Sequence, residues 1–306
     1  LAQEDQDSER LKVTSRALVM RIISMSKGIF ILIPVHNRRE TTLRGLRQLY
    51  QDTTIQNWPD LHLVVIDDGS TDGTEAALRN EFPAVTILRG NGHLWWTGAI
   101  RKGMEYAYNK GCEAVFWLND DCPPSAGSLA KMHEASVYQG NALIGAACYI
   151  AETDVLKPTG AQGRTPVAAK PGEMMPVDEM SGHCVYIPRV VMDAIGCPDI
   201  QRFPHYHGDS SYTLQATRAG FRAYILGDAK VSHPGIIKAK PEDFADFQKA
   251  TPIQTFKQIF LSQKSLYYWP TQFFYNTEKY GFWQGIGLFS LKSIRWLIKW
   301  VWLNTV

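Results

Sequence analysis

The chain has 306 residues with a formal net charge of +2, 45% hydrophobic and 20% charged, which suits one large α/β domain with an appendage and excludes wholesale disorder. A charge so close to neutral leaves no global footprint for nucleic acid. The cysteines number five and include no C-x-x-C pair, so they fit a reducing compartment better than a disulfide framework and carry no zinc signature.

Residues 1–28 are polar and mixed in charge and read as a leader or weak helix. There is no export h-region and no apolar run of the roughly 18 residues that a spanning helix needs. The expectation is a cytoplasmic protein, with peripheral contact at the inner face of a membrane as the further reading.

From Ile29 a regular alternation begins. Ile29–Val35 (IFILIPV) is a continuous apolar run, followed by Leu43, Leu46, Leu49 and Tyr50 at helical spacing. Strands follow at 61–66, 85–88 and Ala114–Leu118, with helices at 74–82 and 99–108 between them. Strands that are apolar throughout and alternate with helices predict a mostly parallel sheet covered on both faces. The segment 152–180, rich in Pro, Gly and polar residues, reads as a long surface connection. A strand at 183–187, a helix at 210–219 and a strand at 222–226 close the catalytic unit, expected over 29–235. A helical, aromatic-rich extension is expected over 236–306.

In such sheets ligands bind beyond the carboxyl ends of the strands, and that is where the polar clusters fall. Adjacent carboxylates in Asn119-Asp120-Asp121 are costly unless a hard divalent cation, Mg²⁺ or Mn²⁺, joins them with a diphosphate; an Asx turn capping the next helix is the alternative. Asp67 and Asp68, in D-D-G-S-T-D-G-T, can accept hydrogen bonds from a nucleobase or ribose, and the same stretch supplies a helix N-cap. The run G-N-G-H-L-W-W-T-G-A (90–99) departs from G-x-G-x-x-G, which disfavours a dinucleotide site. Its glycines permit close backbone approach to a ligand ahead of a helix N-terminus suited to phosphate. Gly92, Trp96, Gly98 and Arg101 are the candidates there for a nucleotide sugar, although paired Trp residues also serve packing. Asp209 opens a helix after His205-Tyr206-His207-Gly208, as an N-cap or as a catalytic base. His233 follows another strand-like stretch, where a structural role is the ordinary reading.

Taken in order, P-V-H-N-R, V-V-I-D-D-G-S-T-D-G-T, G-N-G-H-L-W-W-T-G-A, W-L-N-D-D, S-G-H-C-V-Y-I-P-R and G-D-S-S-Y-T-L-Q-A-T-R-A-G-F resemble glycosyltransferase family 2 over residues 29–235. The W-W-T-G form is similar to its bacterial rhamnosyltransferase-like branch. The resemblance implies a GT-A fold and an inverting, metal-dependent transfer from a nucleotide-diphosphate sugar to a glycan or lipid-linked glycan. It places Asp68 on the nucleobase with Pro34, His36 and Asn37 near it, Asp120 near the ribose and diphosphate, and Asp121 on the metal with His233. Asp209 matches the family's base, and Ser181 and Gly182 match the loop under the acceptor, with His207 beside them. Two positions depart from the family: Gly208 stands where Glu is common, and Arg101 where Asn is frequent.

Residues 288–303 place Lys292, Arg295 and Lys299 on one helical face, with Leu291, Ile294, Leu297, Ile298 and Val301 mainly opposite. This reads as a membrane-surface helix or as one packed on the catalytic domain or a second subunit. A sugar-phosphate nucleotidyltransferase would want a Gly-rich basic loop after the first strand, where His36-Asn37-Arg38-Arg39 stands. A sugar-nucleotide-binding scaffold would have little use for Asp68, Asp120, Asp121 and Asp209 together.

Overall fold

The structure, a computed structural model, describes residues 28–56, 58, 60–235 and 240–305. The leader expected over 1–28 lies outside these residues, apart from Gly28.

Strand β1 (Ile29–Val35) is the centre of the sheet, and its sequence explains why. Ile31, Ile33 and Val35 pack with Leu43, Leu46 and Leu49 of helix α1 (Arg39–Tyr50). Phe30 and Leu32 turn to the other side. A strand covered on both faces needs apolar residues at every position, which is the IFILIPV pattern. The short helix α2 (Thr53–Gln56) leads into β2 (Leu61–Asp67), and α3 (Thr74–Glu81) into β3 (Thr86–Arg89). Helix α4 (Trp95–Asn109) covers the second face with Ile100, Met104 and Ala107 before β4 (Ala114–Leu118). The order β3-β2-β1-β4 is parallel throughout, as expected.

Beyond β4 the direction reverses. Helix α5 (Ser128–Tyr138) and strand β5 (Leu143–Ile150) precede five short strands: β6 (Leu156–Lys157), β7 (Gly160–Gln162), β8 (Thr165–Val167), β9 (Met174–Pro176) and β10 (Glu179–Met180). Strand β11 (Cys184–Pro188) then runs antiparallel to both β4 and β5. The consequence is functional: the start of β11 lies against the end of β4, where the Asn119 N–H donates to the His183 carbonyl at 3.0 Å. Helices α6 (Arg189–Ile195) and α7 (Gly208–Arg218) follow, and β12 (Ala223–His233) extends the sheet parallel to β5 through a bulge between Leu226 and Lys230.

One expectation is corrected. The segment 152–180 is a set of paired short strands, with β9 at the edge of the main sheet and β7, β8 and β10 forming a second one. Strands of two or three residues are too short to show a period in sequence. Gly163, between β7 and β8, has φ +57°, and its N–H donates to the Asp178 carboxylate in a separate loop at 2.6 Å.

The helical, aromatic-rich extension is present, built from α8 (Pro252–Phe260), α9 (Trp269–Tyr280) and α10 (Phe282–Thr305). Trp296, Leu297 and Trp300 of α10 pack on a core of Ile259, Phe260 and Tyr267. Of the three basic residues Arg295 is exposed, while the other two have partners on neighbouring elements. Lys292 donates to Asn276 at 2.9 Å and Lys299 pairs with Glu242 at 3.0 Å, while Leu291, Ile294, Ile298 and Val301 are exposed. Both sides of the helix carry apolar residues, so a helical wheel alone does not say which side packs. No helix among the described residues is long and apolar enough to cross a membrane.

Candidate active site

The carboxyl ends of β1, β2 and β4 converge. After β1, Asn37 takes a left-handed φ of 52°, which its short amide side chain tolerates. Its Oδ1 accepts the Thr71 N–H at 2.7 Å, its own N–H donates to Ser70 Oγ at 2.9 Å, and His36 Nδ1 lies 2.6 Å from the Asp68 carbonyl. These contacts tie the first two strand ends into one rigid loop pair.

Asp68 organises the third. Its carboxylate accepts the N–H groups of Gly92, Leu94 and Trp95 at 2.8, 2.9 and 3.0 Å. The loop therefore folds around the carboxylate, and a side chain at Gly90 would run into it. Trp95 sits at φ +56°, strained for a bulky residue. Its ring forms a wall of a cleft of about 470 Å³ that Pro34, Asp68, Trp96, His205 and Lys264 also line. Lys264, from the extension, places its Nζ 4.8 Å from the Trp95 ring centre. Trp96 turns the other way, donating through Nε1 to Asn119 Oδ1 at 2.8 Å and standing edge-on to Trp117.

At the end of β4, Asp120 and Asp121 share the guanidinium of Arg38, at 3.1 and 2.7 Å. Asp120 is buried and accepts the Thr42 hydroxyl at 3.1 Å. Burial pushes its carboxyl up to about 6 against the pull of Arg38, with Asp121 adding repulsion. For Asp121 burial also opposes ionisation, yet the hydrogen bond and charge of Arg38 outweigh it and the net shift is downward. The guanidinium of Arg38 thus offsets the charge of the carboxylate pair. Asp121 and His233 each feel the other's charge, and a carboxylate and an imidazole are donor types that a divalent cation accepts.

Asp209 lies in the first turn of α7. Its Oδ2 accepts the Gly182 N–H at 2.7 Å and its Oδ1 the Ser210 N–H at 2.7 Å. Burial raises its carboxyl above the ordinary range, and the amide donors hold the rise back. Gly182 is forced by packing, since any side chain there would strike the Trp96 ring. Gly208 has an equally local cause: a Cβ at that position would collide with Thr97 of α4, so this chain has no room for the family's usual Glu.

Other expected residues are placed elsewhere. His207 is stacked on Tyr275 with ring centres 3.9 Å apart, and its Nε2 lies 3.0 Å from Gln272 Nε2. Burial, with Lys292 and Lys279 nearby, drives its imidazole down to about 3, so it is a neutral packed ring. Arg101 pairs with Glu105 at 2.8 Å along α4 and does not line the cleft. Gly98 is buried within α4 against Leu94. Ser181 donates to the Thr159 carbonyl and contacts His183. Sequence reasoning missed Arg38, His183 and Lys264 as residues of this region, while it leaves Trp95 between stacking on a ligand and packing. Arg38 stood in a quoted motif, while Lys264 gave no signal because it reaches the cleft from a distant turn between α8 and α9.

The family model described as Glycosyl transferase family 2 matches residues 30–183, half of the chain. No curated protein sequence matches. Among solved structures, a mannosyltransferase from Pyrobaculum calidifontis, in complex with GDP-Man and Mn²⁺, is similar at 15% identity and a TM-score of 0.53, over 90% of this chain and 83% of that one. GalNAc-T7, with UDP, GalNAc and Mn²⁺, is similar at 13% identity and a TM-score of 0.57, over 83% of this chain and 51% of that one. These likenesses are of fold, and together with the motif order at the strand ends they agree with the family match: the chain belongs to glycosyl transferase family 2 and is a glycosyltransferase.

Proposed function

We propose that this enzyme transfers a sugar from a nucleoside-diphosphate donor to an acceptor hydroxyl with inversion at the anomeric carbon, dependent on Mg²⁺ or Mn²⁺. The two similar enzymes hold a nucleotide, a sugar or sugar nucleotide, and Mn²⁺, which supports the donor class and the metal. The observation that carries the reading is the placement of Asp209. Its carboxylate is held from both sides by backbone amides at the edge of the loop 181–183, which abuts Asn119 at the end of β4.

The base occupies the cleft bounded by Pro34 and Trp95, with Lys264 over the indole face. Arg38, Asp120 and Asp121 form the charged floor on which the diphosphate lies. Asp121 and His233 would hold the cation, which when bound would supply charge stabilisation for the departing nucleoside diphosphate. Asp209 accepts the proton of the acceptor hydroxyl as that oxygen attacks the anomeric carbon. Burial raises its proton affinity, as general-base catalysis requires. Single displacement needs no protein nucleophile, and inversion follows. The acceptor is a glycan or lipid-linked glycan hydroxyl approaching past Ser181 and Gly182. The exposed apolar side of α10 is the surface that meets the membrane.

Replacing Asp209 by Asn removes the base and keeps one of the two amide contacts, since the Asn side chain has a single acceptor oxygen. The expected result is a fall in kcat of roughly 10²–10⁴-fold with donor affinity, measured by calorimetry, little changed. Normal turnover in this variant would remove Asp209 from the mechanism.

A further inference from the structure

Next to the turn that carries Asp209 lies a buried group of charged side chains that no step of the proposed transfer uses. Glu179, on the short strand β10, and Lys279, on α9, expose only 6% and 9% of their side chains. Glu179 Oε1 takes both donors of the group, the Tyr275 hydroxyl at 2.5 Å and the Lys279 ammonium. Its Oε2 is buried and meets no donor among the described residues. An ion pair out of water is favourable only when its remaining lone pairs are satisfied as well. A buried oxygen without a partner is an exception that needs a cause.

The position of Glu179 supplies one. Strand β10 runs directly into the loop that grips Asp209. The Met180 N–H donates to Thr213 Oγ1 at 2.9 Å, the Thr213 hydroxyl donates to the Asp209 carbonyl at 3.0 Å, and two residues after Met180 the Gly182 N–H donates to the Asp209 carboxylate. Burial raises the Glu179 carboxyl above its ordinary value, Lys279 and Tyr275 hold the rise back, and the charge of Asp209 adds to it. Repulsion between two carboxylates is mutual, so Glu179 disfavours the ionised form of Asp209 in turn. The other titratable groups around this turn are neutral or held elsewhere. Burial, with cationic or imidazole neighbours, drives His207 down to about 3 and His183 down to about 4. Glu278 accepts from Ser211 and Gln215, and Lys292 donates to Asn276.

With Asp209 taken as the base, as proposed above, we infer that Glu179 is a positioning residue for it. Glu179 acts on Asp209 through its charge and through the strand that leads to Gly182, and Tyr275 and Lys279 of the C-terminal extension hold it in that role. A general base has to be ionised before the attack and still draw a proton during it. The amides of Gly182 and Ser210 serve the first requirement, and the Glu179 charge serves the second. The donor-free Oε2 fits this role, because a carboxylate with every lone pair hydrogen-bonded is a weaker source of field.

The test is a carbon-13 NMR titration of the whole protein, labelled at the aspartate carboxyl carbons, without donor or acceptor. The signal of Asp209 is the one missing from Asp209→Asn. In Glu179→Gln its titration midpoint should fall by about half a pH unit or more, because a negative neighbour is gone. In Glu179→Asp, which keeps the charge, the midpoint should stay near that of the wild type. Thermal unfolding verifies that each variant is folded. Should Glu179→Gln fail to fold, the wild type decides: the Asp209 carbon should follow two steps, its own and that of Glu179, and a single step overturns the inference. A midpoint unmoved in folded Glu179→Gln also overturns it, since a purely structural brace does not shift a titration. If Asp209→Asn is inactive at the same time, this inference falls alone. Normal turnover in Asp209→Asn removes the base itself, and the positioning role with it, whatever the midpoint does.

Discussion

Asp120 and Asp209 share a physical situation. Both are carboxylates whose burial raises their proton affinity, yet they are compensated differently. Asp209 is held by neutral amide donors, whereas Asp120 leans on the charge of Arg38 and is crowded by Asp121. Asp120 should therefore strain the unliganded fold. Its folded value, about 6, lies above the ordinary 3.8. The stability associated with the protonated form is thus complete below about pH 4 and lost as the pH rises through 6. Asp120→Asn should be more stable than wild type at pH 7.5, by about 1–3 kcal/mol, with the difference in Tm vanishing below pH 4. A variant no more stable at pH 7.5 would show that Arg38 already offsets the cost in full. At this scale the acidic residues stood out in the sequence, because adjacent carboxylates at a strand end are costly unless something neutralises them, although a turn or cap was the other reading. Arg38 and His183 were not. Their roles depend on an approach between β1, β4 and β11 that no local pattern encodes.

At the scale of elements, the antiparallel strand β11 does most to build the site, because it returns the chain to the end of β4. The run CVYIP reads as a buried strand, but its direction is not written in it, since parallel and antiparallel central strands bury the same residues. The contact between α4 and α7 is a second such feature. Gly208 opens α7 against Thr97, and this close approach sets where Asp209 emerges. Gly208→Ala should destabilise the fold by about 1–3 kcal/mol through overpacking. Thr97→Ala in the same chain should recover part of the loss in a double-mutant cycle. Additive effects in urea unfolding would mean that the two helices do not press on each other there. The short strands of 152–180 escaped sequence reading for the opposite reason: hydrogen bonds between distant turns, such as Gly163 to Asp178, hold them rather than periodicity.

At the scale of the whole molecule, the C-terminal helices are part of the catalytic unit. Glu278 of α9 accepts hydrogen bonds from Ser211 and Gln215 of α7, at 3.0 and 2.8 Å. Tyr275 donates to Glu179 at 2.5 Å and stacks on His207. The helix that carries Asp209 is thereby braced by α9, and Lys264 closes the cleft from the same extension. Its aromatic content was visible in the sequence, but this bracing was not, because it joins residues more than 60 positions apart. All of these parts meet in one reaction. The direct measurement is a panel of nucleoside-diphosphate sugars incubated with an acceptor alcohol, with Mn²⁺ and with chelator, following nucleoside-diphosphate release and reading the anomeric configuration of the product by NMR. The proposed mechanism predicts release that requires Mn²⁺ and a product of inverted configuration. Retained configuration, or transfer undiminished by the chelator, would contradict it.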